Sequence, residues 1–347
     1  MSDRLAKSKR STLTSAVDLL LKNPKYLFQR INHYGIGRLI LERTKFHPTV
    51  FSISLTVLRV TKIFLDPLEY IQRRKLAKII VKDSNFRNRV LIDTGYAMFP
   101  PGTFEAVENI LPIANSIYEK FLEKHPSGRK GQSGYSSLLT TSPQSGVGPE
   151  RTDLRAYPEF QTLAHYKPFL EIACDYLGEF PILAAIDLQV VSPNPSNQSD
   201  SFELERGPKD FHIDSGGKGG NCLKCFIALE DVDQDNGGTI VLNRASSRKL
   251  AKEIGYRQGR IPDEIIFREP WRQQLTHLYT LAGGVYFLDS YKTFHCGTRA
   301  TNRPRILINL MYASKYLAGE SELQRNRYDF DHRAAKAEPY GRFLFNL

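Results

Sequence analysis

The most regular hydrophobic pattern lies in the second half of the chain, where short runs rich in β-branched and aromatic residues are separated by turns. These runs predict five strands, at residues 182–191, 222–229, 238–242, 285–288 and 306–312. No helical segment alternates with them at the length that a parallel sheet needs. The pattern therefore favours an antiparallel sandwich or barrel over a doubly wound α/β fold.

The first 85 residues have a helical pattern instead, with apolar clusters at residues 16–21 and helix-spaced apolar positions at residues 36–40. The clearest helix start is the Asp-Pro-Leu-Glu segment at residues 66–69, where the aspartate can cap the helix and the proline fits its first turn. This helix is expected to end near Ile80. Its cationic run predicts the most concentrated positive surface of the chain, formed by Arg73, Arg74, Lys75 and Lys78.

The helical hydrophobic pattern ends at residues 85–89, and we predict a domain boundary there. A short strand entering a turn is expected at residues 90–96, followed by helices at about 103–121 and 168–177. Residues 126–152 are poor in hydrophobics and rich in Gly, Ser and Pro, which is typical of a lid or a disordered insert. We therefore divide the chain into a basic helical segment (1–87), a β-rich domain containing this insert (88–320) and a C-terminal tail (321–347).

The net charge of +11 is confined to the N-terminal segment. Residues 1–85 hold 17 Lys and Arg against 6 Asp and Glu, whereas the rest of the chain holds 31 of each. Such a segment attracts anionic partners without sequence specificity. An anionic membrane surface or an acidic protein is the functional interpretation, a solvated helical face is the structural alternative, and nucleic acid ranks behind both.

The sequence also indicates the cellular compartment of the protein. No secretory signal pattern is present, and the most apolar early stretch, residues 50–65, contains Arg59 and Lys62 and is too short for a spanning helix. Four cysteines among 347 residues do not make a disulfide framework, which favours a reducing environment. We expect a cytoplasmic protein, peripheral to a membrane if the basic segment binds one.

The candidate chemistry centres on His212 and Asp214, within Phe-His-Ile-Asp, and on His295 farther along the chain. Residues i and i+2 of a strand point to the same face, so His212 and Asp214 can bind one ion together. His295 follows the predicted strand 285–288 across a turn and can supply a third ligand. Two imidazoles and one carboxylate hold ferrous iron on one side and leave its other side open for chemistry.

Arg305 strengthens this pattern, because a His-x-Asp pair alone is weak evidence. It lies ten residues after His295 and immediately precedes the predicted strand 306–312. A guanidinium there can hold the distal carboxylate of a keto-acid cosubstrate in two parallel hydrogen bonds. A solvent-facing strand arginine is the structural alternative, and Arg299 and Arg303 are alternative binders.

Several motifs occur in a fixed order between residues 90 and 314. They are the segments at 91–100, 211–214, 226–232 and 235–239, and then 283–290 leading to His295, Asn302 and Arg305. In this order they resemble the phytanoyl-CoA dioxygenase family of iron(II)- and 2-oxoglutarate-dependent oxygenases. The resemblance covers about two thirds of the chain.

The resemblance implies a mainly β fold with flanking helices, whose core is a double-stranded β-helix, a cupin-like jelly roll, preceded here by the basic helical segment. It also implies that His212, Asp214 and His295 hold the iron. Arg305 would then bind the far carboxylate of 2-oxoglutarate.

Two further positions are candidates for contacts with this cosubstrate. Gln189 lies on the strand before the metal-binding strand, where a hydrogen bond inside the sheet is the structural alternative. The family often has a serine two residues past the distal histidine; that position is Gly297 here, with Thr298 beside it. Halogenating members of the family lack the metal-binding carboxylate, so the presence of Asp214 points to oxygen insertion or a related oxidation.

The function implied by the resemblance is that of a dioxygenase requiring Fe(II), 2-oxoglutarate and O2. It would hydroxylate an unactivated C–H bond of a small molecule, such as an acyl or amino-acid-type metabolite, and release succinate and CO2. The rival hypothesis is a non-catalytic member of the fold that binds a membrane or an acidic partner through residues 1–85. The presence of all three ligands and of Arg305 favours the enzyme.

Overall fold

The computed structural model describes part of the chain. The described residues are 60, 63–64, 66–86, 94–124, 150–191, 210–214, 222–256, 259–297, 303–316 and 340–345. The apolar clusters predicted at 16–21 and 36–40, most of the insert predicted at 126–152 and most of the predicted tail lie outside them. No helix among the described residues is long and apolar enough to cross a membrane.

The β-rich half forms antiparallel sheets, as the hydrophobic pattern predicts. The described strands are β1 (Tyr96–Phe99), β2 (Glu150–Asp153), β3 (Ile182–Val191), β4 (Phe211–His212), β5 (Cys222–Ala228), β6 (Thr239–Leu242), β7 (Arg260–Ile261), β8 (Leu275–Leu278), β9 (Val285–Leu288), β10 (His295–Cys296) and β11 (Arg305–Ala313). All five predicted strands are confirmed within a residue or so of their ends. Strand β2 occupies the last residues of the predicted insert.

The strands form two sheets, one of six strands in the order β1-β9-β5-β11-β3-β2 and one of five in the order β7-β4-β10-β6-β8. From β3 onward the chain passes back and forth between the two sheets, which is the strand arrangement of a jelly roll. A cluster of apolar side chains from both sheets lies between them; it includes Phe226, Val241, Leu278, Tyr286 and Leu307. The fold therefore has an inner space bounded by the inward faces of the two sheets.

Helices cover the outer faces of both sheets. They are α1 (Pro67–Val81), α2 (Glu105–Lys124), α3 (Pro158–Ala164), α4 (Lys167–Leu177), α5 (Arg244–Glu253), α6 (Asp263–Ile266) and α7 (Gly341–Leu344). The main core contains side chains from helices α1 to α4 and α7 packed on the six-stranded sheet. A smaller core covers the five-stranded sheet with apolar side chains from the α5 and α6 region.

Helix α1 begins at the predicted Pro67, but the predicted charge of its surface is wrong at Arg73. Arg73 is fully buried; its guanidinium donates to Glu69 at 2.8 Å and to the carbonyl oxygens of Phe180, Pro181 and Phe343 at 3.1, 3.3 and 2.8 Å. The compact unit that contains both sheets extends from Ile63 to Leu347. Helix α1 therefore belongs with the sheets, although the sequence placed it in the segment 1–87.

Helix α5 is not among the elements predicted from the sequence. It follows β6 directly, and the side chain of Asn243 caps it by accepting a hydrogen bond from the backbone N–H of Ser246 at 2.8 Å. Its buried residues are Ser246, Ser247 and Leu250. Because two of these three are serines, the apolar periodicity that reveals an amphipathic helix is missing.

Candidate metal and cosubstrate site

Strands β4 and β10 lie side by side in the five-stranded sheet and bring the two predicted histidine ligands together. His295 is the cross-strand partner of His212, and their ring centroids are 4.5 Å apart. Their chain neighbours Phe211, Phe294 and Cys296 are buried in the core on the outer face of this sheet. Because successive strand residues point to opposite faces, burial of these neighbours turns both imidazoles toward the inner space.

Asp214 completes the predicted ligand set. Its backbone N–H donates to the carbonyl oxygen of Ser290 at 2.9 Å, which ties the residue to the loop before β10. Its carboxylate oxygens lie 3.3 Å from Nε2 of His212 and 3.8 Å from Nε2 of His295. One ligand atom from each of the three residues lies within 4.8 Å of the others. The structure thus assembles the three residues that the motif spacing predicts as metal ligands.

Both imidazoles are oriented by backbone carbonyl groups. Nδ1 of His212 lies 2.7 Å from the carbonyl oxygen of Asp210, and Nδ1 of His295 lies 3.1 Å from that of Thr293. A carbonyl oxygen accepts only, so each Nδ1 carries a proton, and in a neutral ring Nε2 is then the nitrogen with the free lone pair. The ring atoms that face Asp214 are therefore those that can bind a metal.

The electrostatic environment of His295 and Asp214 favours the protonation states that can bind a metal. Burial lowers the pKa of His295 to about 4, against the opposing attraction of Asp214. Burial alone would raise the pKa of Asp214, but the nearby Lys224, His295 and His212 outweigh it and hold this pKa well below 3.8. At neutral pH the site offers a neutral imidazole at His295 and a carboxylate at Asp214.

Lys224 is a charged residue of this site that the sequence interpretation missed. It lies on strand β5, its side chain is 18% exposed, and its ammonium forms an ion pair with Asp214 at 2.5 Å. A signal was present, since Lys224 is the only charged residue in the otherwise apolar run 222–229. A lysine in a buried strand needs a partner of opposite charge on the face to which it points.

Arg305, at the start of β11, lies inside the fold rather than on its surface. It is 5% exposed, and its Nη1 donates to Oγ1 of Thr239 at 3.0 Å. Its buried Nε has no hydrogen-bond partner, and no carboxylate among the described residues pairs with it. Burial lowers the pKa of Arg305 below its usual value, a shift that Tyr286 opposes. A buried guanidinium without a carboxylate is a binding group for an anionic ligand.

Gln189 and Thr298 are the other two residues predicted to contact the cosubstrate, and the structure describes only Gln189. Gln189 on β3 pairs with Leu307, which lies in the core between the sheets, so both side chains face the inner space. Gln189 is 7% exposed and its side chain makes no hydrogen bond to the described residues. Thr298 lies outside the described residues. Of the alternative arginines, Arg299 also lies outside them, and Arg303 is 38% exposed and paired with Asp233.

Comparisons with known proteins gave likenesses among solved structures. No family model and no curated protein matches the sequence. The carbocyclase SnoK from nogalamycin biosynthesis, a non-heme α-ketoglutarate-dependent protein, has a TM-score of 0.45 at 18% identity over 67% of this chain and 85% of its own. HygX from Streptomyces hygroscopicus, with nickel and 2-oxoglutarate bound, has a TM-score of 0.43 at 12% identity over 68% and 89%.

EvdO2 from Micromonospora carbonacea var. aurantiaca, complexed with 2-oxoglutarate, has a TM-score of 0.43 at 16% identity. The match covers 67% of this chain and 91% of EvdO2. All three TM-scores lie below 0.5, and the function of this chain is therefore inferred from its own residues.

Proposed function

We propose that this protein is an Fe(II)- and 2-oxoglutarate-dependent dioxygenase that hydroxylates an unactivated C–H bond of a small molecule, with release of succinate and CO2. The observation that carries the proposal is the presence, within one jelly roll, of the His212, Asp214 and His295 ligand set and of the buried, carboxylate-free Arg305. A metal site alone fits many reactions. The arginine adds a requirement for an anionic ligand inside the same fold.

The three ligands fit a ferrous ion. Two imidazole nitrogens and one carboxylate oxygen form the ligand set of non-heme iron oxygenases, and three protein ligands leave positions open for cosubstrate and oxygen. The backbone carbonyls at Asp210 and Thr293 hold both rings with Nε2 toward the ion. When bound, iron together with 2-oxoglutarate and O2 supplies the oxidising power for C–H hydroxylation.

The position of Arg305 fits a dicarboxylate that reaches the metal with its other end. Arg305 contacts Thr239 on β6, and Val241, two residues farther along that strand, is the cross-strand partner of His295. Two residues along a strand span about 6.6 Å. An extended five-carbon dicarboxylate has about this length, so one carboxylate can meet Arg305 while the keto-acid end lies near the ligands.

The chain's own groups bind, orient and exclude water. Arg305 holds the distal carboxylate with charge-assisted hydrogen bonds. Its guanidinium also donates to the hydroxyl of Thr239, and the oxygen of that hydroxyl lies 3.2 Å from the hydroxyl oxygen of the buried Tyr286. These contacts fix the position of the guanidinium. Phe226 stacks on Tyr286 at a centroid distance of 5.0 Å and excludes water from this region. A dry, preorganised pocket strengthens each of these electrostatic contacts.

The test is oxygen-dependent conversion of 2-oxoglutarate to succinate after anaerobic loading with Fe(II), in the native chain and in the R305Q and R303Q variants. We expect R305Q to weaken 2-oxoglutarate binding by about 100-fold, as measured by equilibrium dialysis, because a buried bidentate partner is lost. R303Q, which changes a surface arginine two residues away, leaves binding unchanged. Absence of succinate from the iron-loaded native chain, or equal dialysis results for the two variants, refutes the proposal.

A further inference from the structure

A second cationic site lies on the outer side of the five-stranded sheet. A cavity of about 190 Å³ there is lined by Ile213, Arg244, Ser247, Arg248, Ala251 and Lys292. Four of these residues lie on one face of helix α5, because they are spaced three or four residues apart. Pockets for whole small molecules measure about 300–1,000 Å³. This cavity therefore suits a chemical group rather than an entire substrate.

The cationic side chains at the cavity outnumber the carboxylates. Asp289 is fully buried and lies 3.0 Å from the Lys292 ammonium, and it also accepts a hydrogen bond from the Tyr176 hydroxyl. The negative charge of the Asp289 carboxylate is therefore already paired with Lys292. Neither Arg244 nor Arg248 forms an ion pair with any described residue, and the buried Nε of Arg244 has no hydrogen-bond partner. Among the described residues, three cations against one carboxylate leave a net positive charge of two at this cavity.

The geometry of helix α5 adds to this positive potential. Arg244 is the first residue of the helix, and the dipole of a helix favours negative charge near its N-terminus. A phosphoryl group carries a charge of about −1.5 to −2 at pH 7 and offers three acceptor oxygens. It matches both the excess charge of the cavity and the number of its cationic side chains better than a single carboxylate does.

We propose that this cavity binds a phosphoryl group, either free phosphate or the phosphate monoester of an organic molecule. The site is distinct from the inner space that holds the metal ligands, and its assignment does not depend on the proposed oxygenase function. It nevertheless lies directly behind the metal-binding strand, because Ile213 lies between the ligands His212 and Asp214. An occupant would thus be anchored next to that strand.

The experiment measures binding of inorganic phosphate and of phenyl phosphate to the full chain by isothermal titration calorimetry, with ionic strength held constant with chloride. The variants are R248M and R244Q, with K249M as the matched control, since Lys249 is an exposed cation on the same helix that does not line the cavity. The R305Q variant tests whether either probe binds instead at the buried Arg305.

We expect R248M and R244Q each to weaken binding at least about tenfold, the effect of removing one charge-assisted hydrogen bond. K249M and R305Q should bind as the native chain does. Tighter binding of phenyl phosphate than of inorganic phosphate identifies an organic monoester as the ligand, whereas equal or weaker binding identifies the free ion. Failure of both probes to bind the native chain, or equal losses in R248M and K249M, overturns the proposal.

Discussion

Replacement of Arg73 by methionine tests the claim that helix α1 is part of the folded unit rather than a cationic surface segment. Methionine keeps most of the aliphatic volume of arginine and removes its charge and its donors. In the native structure these donors reach Glu69 and three backbone carbonyl oxygens, on the segments before β3 and in α7. The substitution therefore leaves four acceptors to find other partners.

The size of the effect follows from burial. Removing one partner of a buried ion pair costs about 3–5 kcal/mol. Glu69 keeps a second cation, because Lys315 also pairs with it, and these two cations together lower its pKa to about 2 against the effect of burial. This remaining partner favours the lower end of the range. We expect R73M to reduce the free energy of unfolding by about 3 kcal/mol and the melting temperature by roughly 6–12 °C.

The neighbouring R74M substitution is the control. Arg74 is exposed and contacts only Tyr70 among the described residues, through a 3.4 Å hydrogen bond and its ring. Surface changes of this kind alter stability by about 0.5 kcal/mol or less. Thermal and urea unfolding, followed by circular dichroism, measure both variants. Equal unfolding of R73M and R74M would refute the buried role of Arg73 and return it to the predicted cationic surface.

Two further predictions concern the candidate metal site. H295A should weaken Co(II) or Fe(II) binding by more than about 100-fold in equilibrium dialysis, since it removes a ligand, whereas H277A, at an exposed histidine, should not; similar affinities would contradict the ligand assignment. The metal-free protein should also lose stability as the pH falls. The pKa of His295 is about 4 in the folded state and near 6.5 in the unfolded state, so between these values only the unfolded chain binds the proton. Its contribution is complete above pH 6.5 and declines by about 3 kcal/mol toward pH 4. Urea unfolding at pH 7 and pH 5 should show about 2 kcal/mol of this decline, and a steeper or equal decline in H295N would contradict it.

The long strands could be predicted from sequence because both of their faces are buried. Strand β11 packs against helices on one side and against the inter-sheet core on the other, and it therefore appears as a nearly continuous apolar run. Strands β4, β7 and β10 have two residues each. Two residues cannot show a period, so the pattern predicts neither β7 nor β10, and β4 is expected only because it carries the His-x-Asp motif.

The charged residues show a different limit. Helix α1 was predicted, but the inward position of Arg73 depends on carbonyl groups that lie 107, 108 and 270 residues away in the chain. A local sign existed, because Arg73, Ala77 and Ile80 have helical spacing and are the buried residues of α1. Any test of a cationic attachment segment should therefore compare the full chain with one starting at Ile63. Truncation near residue 85 removes α1 and part of the core.

The direction of the two candidate histidine ligands is determined by their apolar neighbours. His212 lies between Phe211 and Ile213, and His295 lies between Phe294 and Cys296; all four neighbours pack in the core outside the five-stranded sheet. A slip of one residue in either strand would expose an aromatic side chain to the inner space and bury an imidazole in the outer core. The hydrophobic cost of that slip holds both rings inward before any ion binds. The Phe-His pairs at 211–212 and 294–295 therefore combine the packing signal and the chemical signal in adjacent residues.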